Sequence, residues 1–287
     1  MARLFGLLGN RADLTGRVLA FEREALRVKN AGPGAVGWGL GFYQGGEVLI
    51  RRRPIDERAD IDVAQLGADV RADLVVGHVR QPTVGTLRTE NTHPFRYRQW
   101  LYAQTGTVSC FEQTRDRLLQ SVPEFLRAGI RGDSDAEIVF HVFLSFLHDA
   151  GKLDDLVVET TVVHEAIRGT LQLVDSISAE VGGAPAEVNL IVSNGDMLVA
   201  GHRRAKMAVR TFSGRDDAEA IIGDDAQLRR RTPELAQVQF AIVASDFDSD
   251  GIPGSSPHAG IPGRWNAVKD RAMVSLTRAA PPKIEEL

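Results

Sequence analysis

Cysteine is nearly absent from this 287-residue sequence. Cys110 stands alone, which excludes an internal disulfide framework and any metal site built from several cysteines. No stretch approaches the ~18 uninterrupted apolar residues of a membrane-crossing helix, and the opening residues lack a signal-peptide pattern. An excess of either charge is missing too. The formal net charge is -4 and the isoelectric point is near 6.0, so the charge balance gives no reason to expect nucleic acid or an anionic membrane as a partner. There is no internal repeat, no disordered tract and no alternation of strand and helix of the kind that builds a parallel sheet. These absences predict a cytoplasmic protein with a full buried core, folded as one domain over 1–287.

What is present begins with an apolar run, Ala2 to Gly9, read as a buried strand. Leu14 to Val28 carries apolar residues near helical spacing and stops before Asn30, Gly32 and Pro33, which predicts a helix. Gly37 to Tyr43 and Val48 to Ile50 read as a hairpin closed by Gly45-Gly46. Strands follow at Leu74 to Val79 and Leu101 to Val108. The middle is helical: Phe111 to Leu126, bent or restarted at Pro123, then a helix from Ser134 through Leu147, then an amphipathic run from Asp154 to Val181. Ser134 and Glu137 have the spacing of a capping box. Strands resume at Glu187 to Val192 and Met197 to Ala200 around Asn194-Gly195, then at Lys206 to Phe212, Val238 to Ala244 and Ala272 to Leu276. Arg215 to Thr232 and Asp246 to Arg264 read as mobile loops. Strands, then helices, then strands again predict an α+β fold of packed layers, two antiparallel sheets face to face with helices outside.

Three features compete for functional attention. Cys110 has no histidine near it in sequence and reads as a small buried hydrophobe. Asp246-Phe247-Asp248-Ser249-Asp250-Gly251 starts like a calcium loop, but Pro257 stands where such a loop needs its bidentate glutamate. The sequence leaves open whether Asp246, Asp248 and Asp250 bind calcium. Arg51-Arg52-Arg53 and Arg229-Arg230-Arg231 read as solvated faces.

The most informative stretch holds His78-Val79-Arg80-Gln81-Pro82-Thr83, then Asn91-Thr92-His93-Pro94-Phe95, then Tyr102-Ala103-Gln104-Thr105-Gly106-Thr107. Together with Arg3-Leu4-Phe5-Gly6, Gly37-Trp38-Gly39, Asp133-Ser134-Asp135 and Val188-Asn189-Leu190, it resembles the glutaminase domain of class II glutamine amidotransferases. These are N-terminal-nucleophile hydrolases, and stand-alone members include γ-glutamyl hydrolases. The resemblance covers nearly the whole chain and implies a four-layer αββα sandwich. It also implies a reaction. A cysteine just after the initiator methionine attacks the side-chain amide of glutamine, with its own α-amino group, of reference pKa about 7.7–8.0, as the base. No cofactor and no metal are implied.

By the same resemblance, Arg80 grips the substrate α-carboxylate and Asp135 receives its ammonium, with Thr83, Asn91 and His93 shaping the loop between them. An acid in the first turn of a helix, as Asp135 is expected to be, is also favoured by the helix dipole alone. Gly106 and Thr105 stand at the oxyanion-hole positions. Three residues depart from the pattern: Ala2 in place of the nucleophilic cysteine, Thr105 in place of an asparagine donor, and Val36 in place of an aspartate before Gly-Trp-Gly. A methyl group cannot attack a carbonyl, and losing a covalent nucleophile costs about 10⁶-fold in turnover. Losing one oxyanion donor costs about 10²–10³-fold. Two readings stay open. One is a catalytically degenerate member that keeps a pocket for glutamine, glutamate or a γ-glutamyl compound, or serves as a protein-binding subunit. The other is an active hydrolase or amidotransferase carrying alanine in place of its cysteine.

Overall fold

The structure, a computed structural model, describes residues 2–28, 36–58, 60–81, 84–247, 261, 264–278 and 280–287. Its strands are β1 (Arg3–Gly9), β2 (Val36–Gln44), β3 (Glu47–Asp56), β4 (Leu74–Arg80), β5 (Phe95–Tyr97), β6 (Trp100–Thr107), β7 (Glu187–Ser193), β8 (Met197–His202), β9 (Met207–Ser213), β10 (Gln239–Ser245), β11 (Asn266–Ala267), β12 (Ala272–Thr277) and β13 (Lys283–Glu286). Seven form one sheet in the order β11-β9-β10-β1-β4-β2-β3, and six form a second in the order β13-β12-β8-β7-β6-β5. Neighbours pair antiparallel throughout. The helices are α1 (Thr15–Phe21), α2 (Arg23–Leu26), α3 (Val63–Leu66), α4 (Phe111–Ser121), α5 (Glu124–Arg127), α6 (Asp135–Asp149), α7 (Thr160–Glu180), α8 (Gly214–Ile222) and α9 (Ala226–Arg231).

The two-residue period of a strand sorts each strand's side chains between two cores. Leu4 and Leu8 of β1 join Leu74 and Val76 of β4 against Leu101, Ala103, Leu198 and Val274 of the other sheet. Phe5 and Leu7 point the opposite way, onto Leu19, Leu26 and Ile222 of the helices. On β6, Trp100 and Tyr102 face outward onto Phe140, Phe143 and Leu171. Three apolar layers therefore separate four layers of structure. The expected αββα arrangement is what forms, with the central strands of both sheets buried on both faces and one face of the edge strand β3 exposed.

Several elements differ from the sequence reading in instructive ways. The helix expected over 14–28 is split at Glu22, a buried residue whose carboxylate accepts hydrogen bonds from Trp265 Nε1 at 2.8 Å and Arg210 Nε at 3.4 Å. Arg215 to Thr232, expected to be a mobile loop, folds as α8 and α9. Ala218, Ile221 and Ile222 bury one face of α8, and Asp225 caps α9 by accepting from the Gln227 and Leu228 amides. The helix expected from Asp154 begins at Thr160. Cys110 is exposed and left-handed (φ 53°) at the head of α4, where Phe111 takes the buried place instead. The short strands β5, β11 and β13 carry too little apolar pattern to stand out in the sequence.

Helix α6 matters most for the site because its first turn carries Asp135. Ser134 Oγ accepts from the Glu137 amide at 3.3 Å. Glu137 does not complete the capping box. Its carboxylate accepts instead from the Arg131 and Gly132 amides at 3.0 and 2.6 Å, which ties the preceding loop to the helix. Replacing Ser134 with alanine should lower unfolding stability in urea by about 1 kcal/mol, the usual worth of such a cap.

Candidate active site

Antiparallel pairing sets the start of β1 beside the ends of its two neighbours: Arg3 lies opposite Val79, and Leu4 opposite Ser245. The faces that are apolar mid-strand turn polar at this end. On β4 the series Leu74, Val76 continues to His78 and Arg80, and on β6 the series Leu101, Ala103 continues to Thr105. A cavity of about 530 Å³ opens there, bordered by Ala2, Arg80, Thr105, Gly106, Asp135 and Asp246 among others. Its size is that of an ordinary small-molecule pocket. Six of the residues expected in the site (Ala2, Arg80, His93, Thr105, Gly106 and Asp135) thus come together from distant parts of the chain. Thr83, Asp248 and Asp250 lie outside the described residues. Among the described residues no group of three or more His, Cys, Asp or Glu side chains could hold a metal.

Arg80 is buried, and its guanidinium donates to three loop carbonyls: Thr86 O at 3.1 Å, Val84 O at 2.6 Å and Gly85 O at 3.2 Å. It builds the loop it sits under, so a ligand carboxylate would meet a cation already partly engaged. Asn91 does not border the cavity but braces the same loop. It is fully buried, donates to Thr86 O at 2.9 Å and to the Asp133 carboxylate, and accepts from the Asp133 amide at 2.9 Å. Asp135 accepts from the Val108 amide at 2.8 Å, fixing α6 to the end of β6. Burial pushes its carboxyl up from the usual carboxylate range, against the Val108 amide and the Arg80 charge.

His78 and His93 meet Nδ1 to Nδ1 at 3.1 Å, so one ring donates and the other accepts. Burial is the main cause that drives both pKa values down, His78 to about 3, with the Arg80 charge adding to the effect. Both rings are neutral at ordinary pH. Two residues bordering the cavity, His93 and Gln104, each carry a buried Nε2 that has no hydrogen-bond partner among the described residues.

The opposite wall contains an arrangement that sequence reasoning missed. Thr105 Oγ1 donates to Asp246 Oδ2 at 2.8 Å, Ser245 Oγ donates to the same oxygen at 2.5 Å, and Arg204 Nη1 reaches Asp246 Oδ1 at 2.7 Å. The Thr105 proton is therefore directed at a carboxylate and not into the cavity. Arg204 is placed by fully buried Asn189, whose carbonyl accepts from the Arg203 and Arg204 amides and whose amide donates to Ala205 O. The Val188-Asn189-Leu190 motif marked this strand but gave no sign of that duty. Gly106 has φ 97°, and a Cβ there would fall 2.1 Å from Glu187 O, so only glycine fits. Outside this site, His164 lies 2.7 Å from Ser275 Oγ and 3.1 Å from Glu285 Oε2, but Ser275 is buried on the face of β12 turned toward α7.

The family model described as glutamine amidotransferases class-II matches residues 1–282. The chain is 27% identical over 226 residues to the probable glutamine amidotransferase DUG3 of Saccharomyces cerevisiae, an alignment covering 76% of this chain and 60% of the yeast protein. It is 26% identical over 211 residues to the γ-glutamyl-hercynylcysteine sulfoxide hydrolase of Mycobacterium tuberculosis, covering 70% of this chain and 76% of that protein. Among solved structures, a glutamine aminotransferase class-II domain protein from Silicibacter pomeroyi superposes with a TM-score of 0.58 at 15% identity, over 99% of this chain and 98% of that one. That likeness is one of fold.

Neutral buried histidines make stability depend on pH in a stated direction. Their folded pKa values lie below the ordinary 6.5, so the unfolded chain binds protons first on acidification. Stability is full above about pH 6.5 and falls as pH drops toward the folded value of His78 near 3. The urea midpoint should decline between pH 6.5 and 4.5, and His78→Asn should flatten that slope whatever its absolute stability. A midpoint independent of pH in that window would contradict the neutral assignment.

Proposed function

Because this chain belongs to the class-II glutamine amidotransferases, we propose that it binds glutamine, glutamate or a γ-glutamyl compound in the cavity at the head of β1 while lacking the family's nucleophilic attack. The observation that carries this reading is the pairing of Ala2 with Thr105 at one cavity. Residue 2 offers a methyl group where the attacking sulfur would stand, and the Thr105 hydroxyl is engaged by Asp246. A threonine so held does not replace an oxyanion donor, since its proton already points at a carboxylate. Binding groups remain. Arg80 supplies positive charge and Asp135 negative charge to the cavity lining, close enough to act on one another. The amino acid end of the ligand is assigned to Arg80 and Asp135, and Gly106 to the position beside its amide. Since the yeast relative is matched over 60% of its length, any protein partner or acceptor also belongs to this proposal.

A second reading, an active enzyme in which alanine stands in place of cysteine, is favoured by Gly106, Arg80 and Asp135 all bordering the cavity. The two separate experimentally. On the first reading, millimolar glutamine, glutamate or a γ-glutamyl dipeptide raises the melting temperature by several degrees, as expected when ligand binds only the folded form. Arg80→Met removes the shift. Ala2→Cys alone leaves ammonia or glutamate release at least ~10²-fold below what Ala2→Cys combined with Thr105→Asn achieves, the worth of one oxyanion donor. Full activity from Ala2→Cys alone would establish the second reading. Brisk hydrolysis by the unaltered chain, lost in Arg80→Ala, would overturn the first.

A further inference from the structure

A second cavity, of about 400 Å³, opens where β3, β5 and the loop between α5 and α6 converge, and it shares no lining residue with the first. Four arginines, Arg52, Arg96, Arg98 and Arg131, border it against two glutamates, Glu90 and Glu137. Arg98 is paired with Asp154, and both Glu137 oxygens are taken by the Arg131 and Gly132 amides. Arg52 lies over the Phe95 ring, with 5.9 Å from its guanidinium carbon to the ring centroid, and donates to the Thr89 and Pro94 carbonyls. Its Nε is buried with no acceptor among the described residues. The exposed Arg131 guanidinium makes no hydrogen bond and no close ion pair among the described residues, and its charge, like that of Arg52, acts on Glu137 from a distance. Positive charge is thus left over, and part of it sits on donors that water reaches poorly.

The floor adds a group of the opposite hydrogen-bonding sense. His141 on α6 is 3% exposed, and its Nδ1 donates to Glu137 O at 2.8 Å. That bond fixes the tautomer, so Nε2 carries a lone pair. Burial lowers the His141 pKa against the opposing pull of the Glu137 carbonyl, which favours the neutral ring. No donor reaches Nε2 among the described residues. It faces the space left by Gly129, where a Cβ would lie 3.2 Å away.

We propose that this second cavity binds a small oxyanion that also carries an O–H, such as phosphate in its protonated forms or a phosphate monoester as its monoanion, with Arg52 and Arg131 on the oxygens and His141 Nε2 accepting the O–H. Guanidinium donors suit phosphate oxygens, and a neutral imidazole acceptor tells a protonated oxyanion from a bare one. Sulfate, with no proton at neutral pH, lacks the His141 contact.

The test is calorimetric titration of the full chain near pH 6, where a phosphate monoester with a second pKa of about 6 keeps much of its O–H, with inorganic phosphate, phenyl phosphate and sulfate. Phosphate or its monoester should bind about 3–10-fold more tightly than sulfate, the range of one net hydrogen bond, and whichever of the two binds tighter identifies the source. Arg131→Ala, which removes an exposed side chain, should weaken phosphate about tenfold. Gly129→Ala should erase the preference over sulfate by covering Nε2. Three outcomes overturn the proposal: no binding of any of the three at 10–20 mM (roughly the weakest affinity worth calling a site), equal binding of phosphate and sulfate unaffected by Arg131→Ala, or phosphate binding lost in Arg80→Met but kept in Arg131→Ala. The last would place the anion in the first cavity.

Discussion

The antiparallel pairing of β1 with β4 on one side and β10 on the other is the constraint from which the site follows. It brings the second residue of the chain, the eightieth and the two hundred and forty-sixth to one end of one sheet. The pairing is held by burial on both faces, with Leu4 and Leu8 in the core between the sheets and Phe5 and Leu7 under the helices. A one-residue slip would exchange these faces and turn His78 and Arg80 away from the cavity. The register that packs the core is therefore the register that assembles the pocket.

At that end the problem changes from burying apolar surface to satisfying buried polar groups. Arg80 is satisfied by the loop it supports, Asp135 by the end of β6, and Asn189 by the turn that carries Arg204. Asp246 gathers Thr105, Ser245 and Arg204 onto one carboxylate. A buried charge left unpaired is expensive, so such a cluster resists losing any member. This bears on chemistry, because a hydroxyl held by a carboxylate is not free to stabilise developing charge on a substrate. His93 and Gln104 are the exceptions, each with a buried nitrogen that has no partner among the described residues.

Much of this was legible in the chain because it depends on local pattern. The hairpin at Gly45-Gly46, the turn at Asn194-Gly195 with Gly195 at φ 93°, the restart at Pro123 and the Ser134 cap each follow from backbone preferences of a few residues. The failures share a cause as well. Glu22 breaks a helix to reach Trp265 and Arg210, partners about two hundred residues away. The charge-rich segment 215–232 becomes helical because Ala218, Ile221 and Ile222 find an apolar sheet to cover. The residue type of Cys110 favours burial, but its position in a tight turn exposes it.

Local patterns along the chain convey the order of the longer strands and central helices, the layered fold class and the alanine at position 2. They do so because strand periodicity, turn chemistry and motif spacing are properties of neighbouring residues. Packing settles which of the residues singled out share a cavity, that Arg80 is engaged by its own loop, that Thr105 donates to Asp246, and that Arg52, Arg131 and His141 meet at a second opening. These are contacts between segments distant along the chain, and their geometry is fixed by how the layers pack, which no local pattern encodes.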